Sequence, residues 1–388
     1  MNSTLAHAEP RTLSNWDSAP WNRVSFRTMR EIIPTVEVWR GTVPAAQLIE
    51  NKQEIGNISF TSSEGETTID AFLASSFTDG FLILHRGQRV FERYYDGMSE
   101  RCLHLSQSVA KSLVGTLTGV LVGEGIVDVD QQITHYLPEL SDTAYRGATV
   151  RHLLDMTSGV GFNEDYTYTH SDIAKVDVAC GWKPRPATGE WPETMLDVIK
   201  SLKTLARPHG EAFSYRSIET DVLAFVLEKA AGMRLAPLLS DRIWSRIGAE
   251  ESASFTVDSS GYALADGGFN ATLRDYARFG QMILDNGAAM GYQIVPERWI
   301  ADTRRAENSK FHHPYTIVTP NGGYRNQFWS EDVNAPTLVC RGVFGQMIFI
   351  APQYEMVGVK LSSWPDFVNP KRTKTALAAM HAIGRALQ

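Results

Sequence analysis

Ser108 and Lys111 stand three positions apart at the head of a long apolar stretch, Val109 to Val122. That spacing sets a hydroxyl and an amine on one face of a helix, one turn apart. A serine hydroxyl attacks a carbonyl carbon only when a neighbouring base takes its proton. A lysine serves as that base when burial makes its amine neutral. Leu113, Val114, Leu117, Val120 and Leu121 mark the helix as a core element, so a buried, neutral Lys111 is expected. A serine at the helix start also brings free backbone N–H groups to the charge that develops during attack. The tetrapeptide alone is common, and an ordinary surface helix is its bland alternative.

A second group, Phe213-Ser214-Tyr215-Arg216-Ser217, lies just before a helical pattern that begins near Thr220. A phenol beside a lysine can relay protons between an attacking oxygen and a leaving group. The alternative for Tyr215 is a packed ring with a satisfied hydroxyl. A third group, Cys340 to Gln346, carries Gly342 and Gly345 and runs into the strand pattern Met347 to Ile350. Glycine at a strand edge lets the backbone come close to a ligand. An N–H from this edge would join that of Ser108 as an oxyanion hole. Here the alternative is a bulge where the strand enters its sheet.

The elements that must position these groups change character along the chain. Phe81 to Tyr95 reads as a hairpin turning at Arg86-Gly87, and Met347 to Leu361 as a second one turning at Ala351-Pro352-Gln353. Between them the pattern is mostly helical, with apolar residues at helical spacing over Val150–Met156, Asp221–Ala231, Leu238–Ile247 and Leu273–Leu284. A closing helix is expected from about Arg372 to Leu387. Strands at both ends predict an α+β protein whose sheet domain is discontinuous, residues 1–128 and 283–388. A helical region, 129–282, is inserted, with a cleft between the two.

A chain of 388 residues, 43% of them hydrophobic, buries a sizeable core. A net charge of −7 argues against nucleic acid or an anionic membrane as partner. No apolar run reaches transmembrane length, and Met1 to Trp16 is polar, so a cytoplasmic protein is expected. Cys102, Cys180 and Cys340 are far apart and read as reduced thiols. His312-His313 has no partner at helical spacing, so no metal site is expected.

Taken together, Ser108-Val109-Ala110-Lys111, Tyr215-Arg216-Ser217 and the glycine-bearing strand edge at 340–346 come in an order that resembles the serine hydrolases of the β-lactamase and penicillin-binding-protein superfamily. The resemblance implies an antiparallel sheet flanked by helices and a cofactor-independent reaction through an acyl-enzyme. Asn163-Glu164-Asp165-Tyr166, Gly181-Trp182, Thr220 to Ala224 and Leu361 to Asp366 are similar to segments of the 6-aminohexanoate-dimer hydrolases. Those enzymes cleave the amide of linear nylon-6 oligomers and also show carboxylesterase activity. The likeness runs from about Trp16 to the C-terminal helix.

Carried over by position, the resemblance makes Ser108 the nucleophile, Lys111 its base and Tyr215 the proton donor to the leaving group. The N–H groups of Ser108 and Val343 would hold the oxyanion. Tyr166 would hydrogen-bond the substrate amide, and Asp177 would favour a free amino end. Ser217, Asp266 and Phe344 would complete the substrate surface. The physics agrees for two of these: an ammonium on a partly desolvated carboxylate gains about 1.5–3 kcal/mol, and an amide nitrogen needs support as it becomes pyramidal.

Departures bear on substrate. Cys340-Arg341-Gly342 stands where many superfamily members carry Lys-Thr-Gly, whose lysine helps recognise a carboxylate. Strand alternation is expected to turn Arg341 away from the cleft. Glu219 stands in place of the asparagine of the nylon-oligomer enzymes, and Asp266 in place of a neutral polar residue; with Asp177, these acids are expected to attract amines. A carboxylesterase on the same scaffold is the nearest rival, and a non-catalytic binding protein the more distant one. A homodimer is compatible with the chain, and no motif specifies it.

Overall fold

The computed structural model describes residues 10–388. Both expected hairpins form. Thr78–His85 and Gln88–Tyr94 pair antiparallel around Arg86 and Gly87, whose φ values of 51° and 74° close the tight turn. Gln346–Ala351 and Met356–Ser362 form the second. Met356–Ser362 lies against Thr78–His85, so the N- and C-terminal parts share one sheet.

That sheet has seven antiparallel strands, in the order Gly323–Arg325, Phe328–Ser330, Leu338–Gly342, Gln346–Ala351, Met356–Ser362, Thr78–His85, Gln88–Tyr94. Side chains alternate between its faces, except at the bulges near Ile83/Leu84 and Leu361/Ser362. Leu82, Leu84, Ile348 and Ile350 enter the larger core with the serine helix. Phe81, Ile83, Met347 and Phe349 enter a second core covered by Leu377, Met380 and Ile383 of the C-terminal helix Pro370–Ala386.

The region between 129 and 282 holds helices Val150–Leu154, Asp172–Ala179, Met195–Ser201, Ile218–Ala231 and Leu235–Leu239. It also contributes two strands the periodicity does not reveal, Ala253–Thr256 and Phe269–Ala271. They join Thr35–Val38 and His104–Leu105 in a four-stranded sheet. Leu273–Leu284 packs on the large sheet, so the boundary expected at 282/283 falls inside a helix of that layer.

The serine helix, Val109–Gly123, threads the centre of the molecule, with every residue from Val109 to Leu121 buried. Glycine in a helix costs about 0.5–1 kcal/mol, and close packing offsets it here. A Cβ on Gly119 would lie 2.3 Å from the Trp299 ring, and one on Gly115 2.2 Å from the Asn326 carbonyl. Among the described residues no helix is long and apolar enough to cross a membrane.

Candidate active site

The short strand His104–Leu105 delivers the chain to Ser108 through Gln107, which is held at φ 49°. Ser108 caps the serine helix, and its N–H makes no turn or cap hydrogen bond; nor does that of Val343. The C-terminal end of strand Leu338–Gly342 comes against this corner. A Cβ on Gly342 would sit 2.6 Å from the Ser106 carbonyl oxygen and 3.0 Å from the Gln107 Cβ. Only glycine permits that approach, and Val343, the next residue, lines the same cavities as Ser108.

Lys111 is buried and its three N–H groups are all engaged. They reach Ser108 Oγ at 2.9 Å, Ser217 Oγ at 3.1 Å and the Asp266 carbonyl at 2.8 Å. The Asp266 carboxylate stands 3.6 Å away. Burial alone would favour the neutral amine. The combined pull of Tyr215, Asp266, Glu164 and Asp221 outweighs it, and the lysine ends above its ordinary value. The expectation of a lysine made neutral by burial is not met in direction: apolar helix neighbours do not set its charge, because Tyr215 and the acids Asp266, Glu164 and Asp221 from other segments oppose burial at its tip.

Tyr215 hangs from the loop before helix Ile218–Ala231. Its N–H donates to the Tyr315 hydroxyl at 2.9 Å, and its ring stacks on Trp329 with centroids 5.3 Å apart. The phenol interacts with both Ser108 and Lys111, and Lys111 Nζ lies 5.2 Å from the ring centre. Burial raises the phenol above its ordinary value, with Lys111 opposing.

Glu164 completes the constellation. Oε1 accepts from Ser217 Oγ at 2.5 Å and from the Tyr166 hydroxyl at 2.8 Å, and Oε2 accepts from the Ser217 N–H at 2.6 Å. Burial pushes its carboxyl up, with Lys111 and the hydrogen bonds pulling the other way. Ser217 thus gives its hydroxyl proton to Glu164 while accepting from Lys111, and it lines the side pocket described next.

Ser108 stands where two cavities meet. A cleft of about 420 Å³ is walled by Tyr215, Trp329, Arg341, Trp364 and Phe367, with Glu164 at its base. A narrow side pocket of about 40 Å³ holds Asp177, Asp266, Trp182 and Phe344. Ser108, Tyr166, Val343 and Phe367 line both. Asp177, on helix Asp172–Ala179, has its carboxyl raised to about 8 by burial, with Asp17 adding and Lys183 opposing.

Two sequence expectations fail here. Arg341 points into the cleft, with its guanidinium 4.3 Å from the Trp329 ring centre and Nη1 buried without a hydrogen-bond partner. Burial lowers its pKa to about 10. Alternation holds, since Cys340 faces the serine helix, but the opposite face of this strand end is the cleft wall. Glu219 does not face the cleft. It is fully buried and paired at 2.8 Å with Arg216, with Ser158 donating to the same oxygen.

The Beta-lactamase family model matches residues 66–382. The chain belongs to that family. It is 34% identical over 371 residues to the 6-aminohexanoate-dimer hydrolase of Paenarthrobacter ureafaciens, covering 93% of this chain and 90% of that protein. A solved Bacillus anthracis structure, provisionally named a 6-aminohexanoate-dimer hydrolase, superposes with a TM-score of 0.90 at 28% identity, covering 98% of this chain and 99% of the other. EstCE1, a hydrolase with promiscuous acyltransferase activity, shares the fold at 16% identity and a TM-score of 0.61, covering 81% and 95%. The protein is thus a serine hydrolase of the β-lactamase family with the α+β fold that the family implies. Within it, sequence reasoning gave no role to Glu164 or Trp329. Glu164 carried a signal, an acid two residues before Tyr166; Trp329 carried none, since its strand is three residues long.

Proposed function

We propose that the protein is an amidase of small linear amides, with linear 6-aminohexanoate oligomers as the best-fitting substrate. Ser108 Oγ attacks the amide carbon, its proton passes to Lys111, and the amides of Ser108 and Val343 hold the oxyanion. Tyr215 returns a proton to the leaving amine, and water then releases the acyl group. The observation that carries the substrate class is the pair of ionisable groups flanking Ser108: the Asp177 carboxyl in the side pocket, and in the cleft the Arg341 guanidinium, whose Nη1 has no hydrogen-bond partner. A linear ω-amino acid dimer bears an ammonium at one end and a carboxylate at the other. Similarity to the Paenarthrobacter enzyme over nearly the whole chain supports the same reading.

A second reading, a carboxylesterase with slight amidase activity, draws on the apolar part of the cleft wall, where Pro314, Ile317, Val318 and Val368 would suit an uncharged acyl or alkyl group. The test is release of 6-aminohexanoate from its linear dimer by purified enzyme. Ser108→Ala serves as control, and a short-chain nitrophenyl ester is assayed in parallel. Serine-dependent amine release supports the amidase, and Arg341→Met should then raise KM for the dimer more than for the ester. Ester turnover with no amide turnover overturns it in favour of the esterase.

A further inference from the structure

We propose that Glu164 is the proton acceptor that frees Lys111 to act as base, taking the ammonium proton through the Ser217 hydroxyl. The inference rests on the reading of Ser108 as nucleophile and Lys111 as its base, and it supplies a step that reading lacks. An ammonium cannot accept the Ser108 proton, so one of its own protons must leave first.

The hydrogen bonds of Lys111 leave one exit. Ser108 Oγ is the group to be deprotonated. The Asp266 carbonyl accepts a hydrogen bond but has no proton to pass on. The Asp266 carboxylate, at 3.6 Å, lies beyond hydrogen-bond distance. Ser217 Oγ accepts from Lys111 at 3.1 Å and donates to Glu164 Oε1 at 2.5 Å, so this branch alone ends on a carboxylate. A proton moves from Nζ to Ser217 Oγ while the Ser217 proton moves to Oε1. The products are a neutral amine and a carboxylic acid, with no change in net charge. The Ser108 proton then passes to the amine lone pair as Oγ bonds the carbonyl carbon and the carbonyl π electrons move to oxygen.

The surroundings suit a carboxyl that alternates between its two forms. The Ser217 N–H and the Tyr166 hydroxyl fix Glu164 in place. Burial disfavours its charged form, and Lys111 favours it. The other ionisable groups that face it are Tyr166, Tyr215 and, more distantly, Asp177, while Arg341 lies on the wall of the same cleft.

The test is the pH dependence of kcat/KM for a short-chain nitrophenyl ester between about pH 5.5 and 9.5, with Glu164→Gln, Glu164→Asp and Ser217→Ala. In the intact enzyme the proton stays within the site, so the profile should show a broad plateau. Glu164→Gln should lower the value at neutral pH by about 100-fold or more. Its profile should then rise about tenfold per pH unit as Lys111 releases its proton to solvent. Ser217→Ala should show the same slope, and Glu164→Asp should restore part of the plateau. A variant that keeps the wild-type profile at reduced height would mean that Glu164 only shapes the site, and would overturn the relay. So would an acid limb moved to lower pH, as expected if the carboxylate merely holds Lys111 charged. If Glu164→Gln fails to fold, a plateau in Ser217→Ala is sufficient refutation. Full activity in Ser108→Ala would instead sink the underlying serine reading, a separate outcome.

Discussion

Asp177 links substrate charge to pH in a way that can be worked out from its surroundings. Burial raises its carboxyl to about 8, so in the empty pocket at neutral pH it holds a proton. A substrate ammonium pairs only with the carboxylate, so binding must expel that proton. Affinity for an amine-bearing amide should rise about tenfold per pH unit up to about pH 8, then level off while the substrate amine stays charged. Amide cleavage is slow chemistry, so KM follows dissociation, and KM for the linear dimer should fall about 50-fold from pH 6 to 8. The N-acetylated dimer, which lacks the ammonium, should show a flat KM. Asp177→Asn forfeits a charge-assisted contact of about 1.5–3 kcal/mol, or about 10- to 150-fold in KM at pH 8.5. At pH 7 the wild type has already lost about tenfold to the bound proton, so the two should differ by that much less. Initial rates of 6-aminohexanoate release over pH 6–9 decide the matter. A KM that does not change with pH, or equal KM values for wild type and Asp177→Asn at pH 8.5, would refute the ammonium contact.

Gly342→Ala should lower kcat by about 10²–10³ with little change in melting temperature, because the new Cβ pushes the strand edge and the Val343 N–H away from Ser108. An unimpaired rate would remove Val343 from the oxyanion hole. Lys360 is wholly buried, donating to the Ser76 carbonyl at 3.2 Å and to Ser362 Oγ, and burial lowers its pKa to about 7. Its folded-state pKa lies below the unfolded one, so between about pH 7 and 10 the unfolded chain holds the extra proton, and wild-type stability should rise with pH. Lys360→Met should therefore be the more stable protein by several kcal/mol at pH 6, with the gap closing toward pH 9. Denaturant melts at the two pH values check this, and a variant less stable at both would refute it.

What the sequence revealed follows the range of the physics that encodes it. Ser108 and Lys111 are legible because one turn of one helix relates them, and the two main hairpins are legible because period-two alternation runs through strands of six to eight residues. Strands Gly323–Arg325 and Phe328–Ser330 are too short to show a period, yet they carry the Trp329 face on which Tyr215 and Arg341 rest. The direction of Arg341 depended on which face of its strand borders the cleft, a fact of tertiary packing. The charge of Lys111 escaped for a similar reason. Its own helix is apolar, and the groups that oppose burial at its amine, Tyr215, Asp266, Glu164 and Asp221, come from other segments. Glu219 looked like a cleft acid, while its partner Arg216 stood three residues away at helical spacing and takes up its charge.

The central claim is that Ser108 is a nucleophile activated by Lys111, and covalent capture tests it most directly. The purified chain is treated with a serine-directed fluorophosphonate, its intact mass is measured, and the adduct is located by peptide mapping. One adduct per chain on Ser108, absent in Ser108→Ala and formed far more slowly in Lys111→Ala, is the expected result. No adduct, or an adduct on another residue at the same rate in Ser108→Ala, would contradict the assignment of this site.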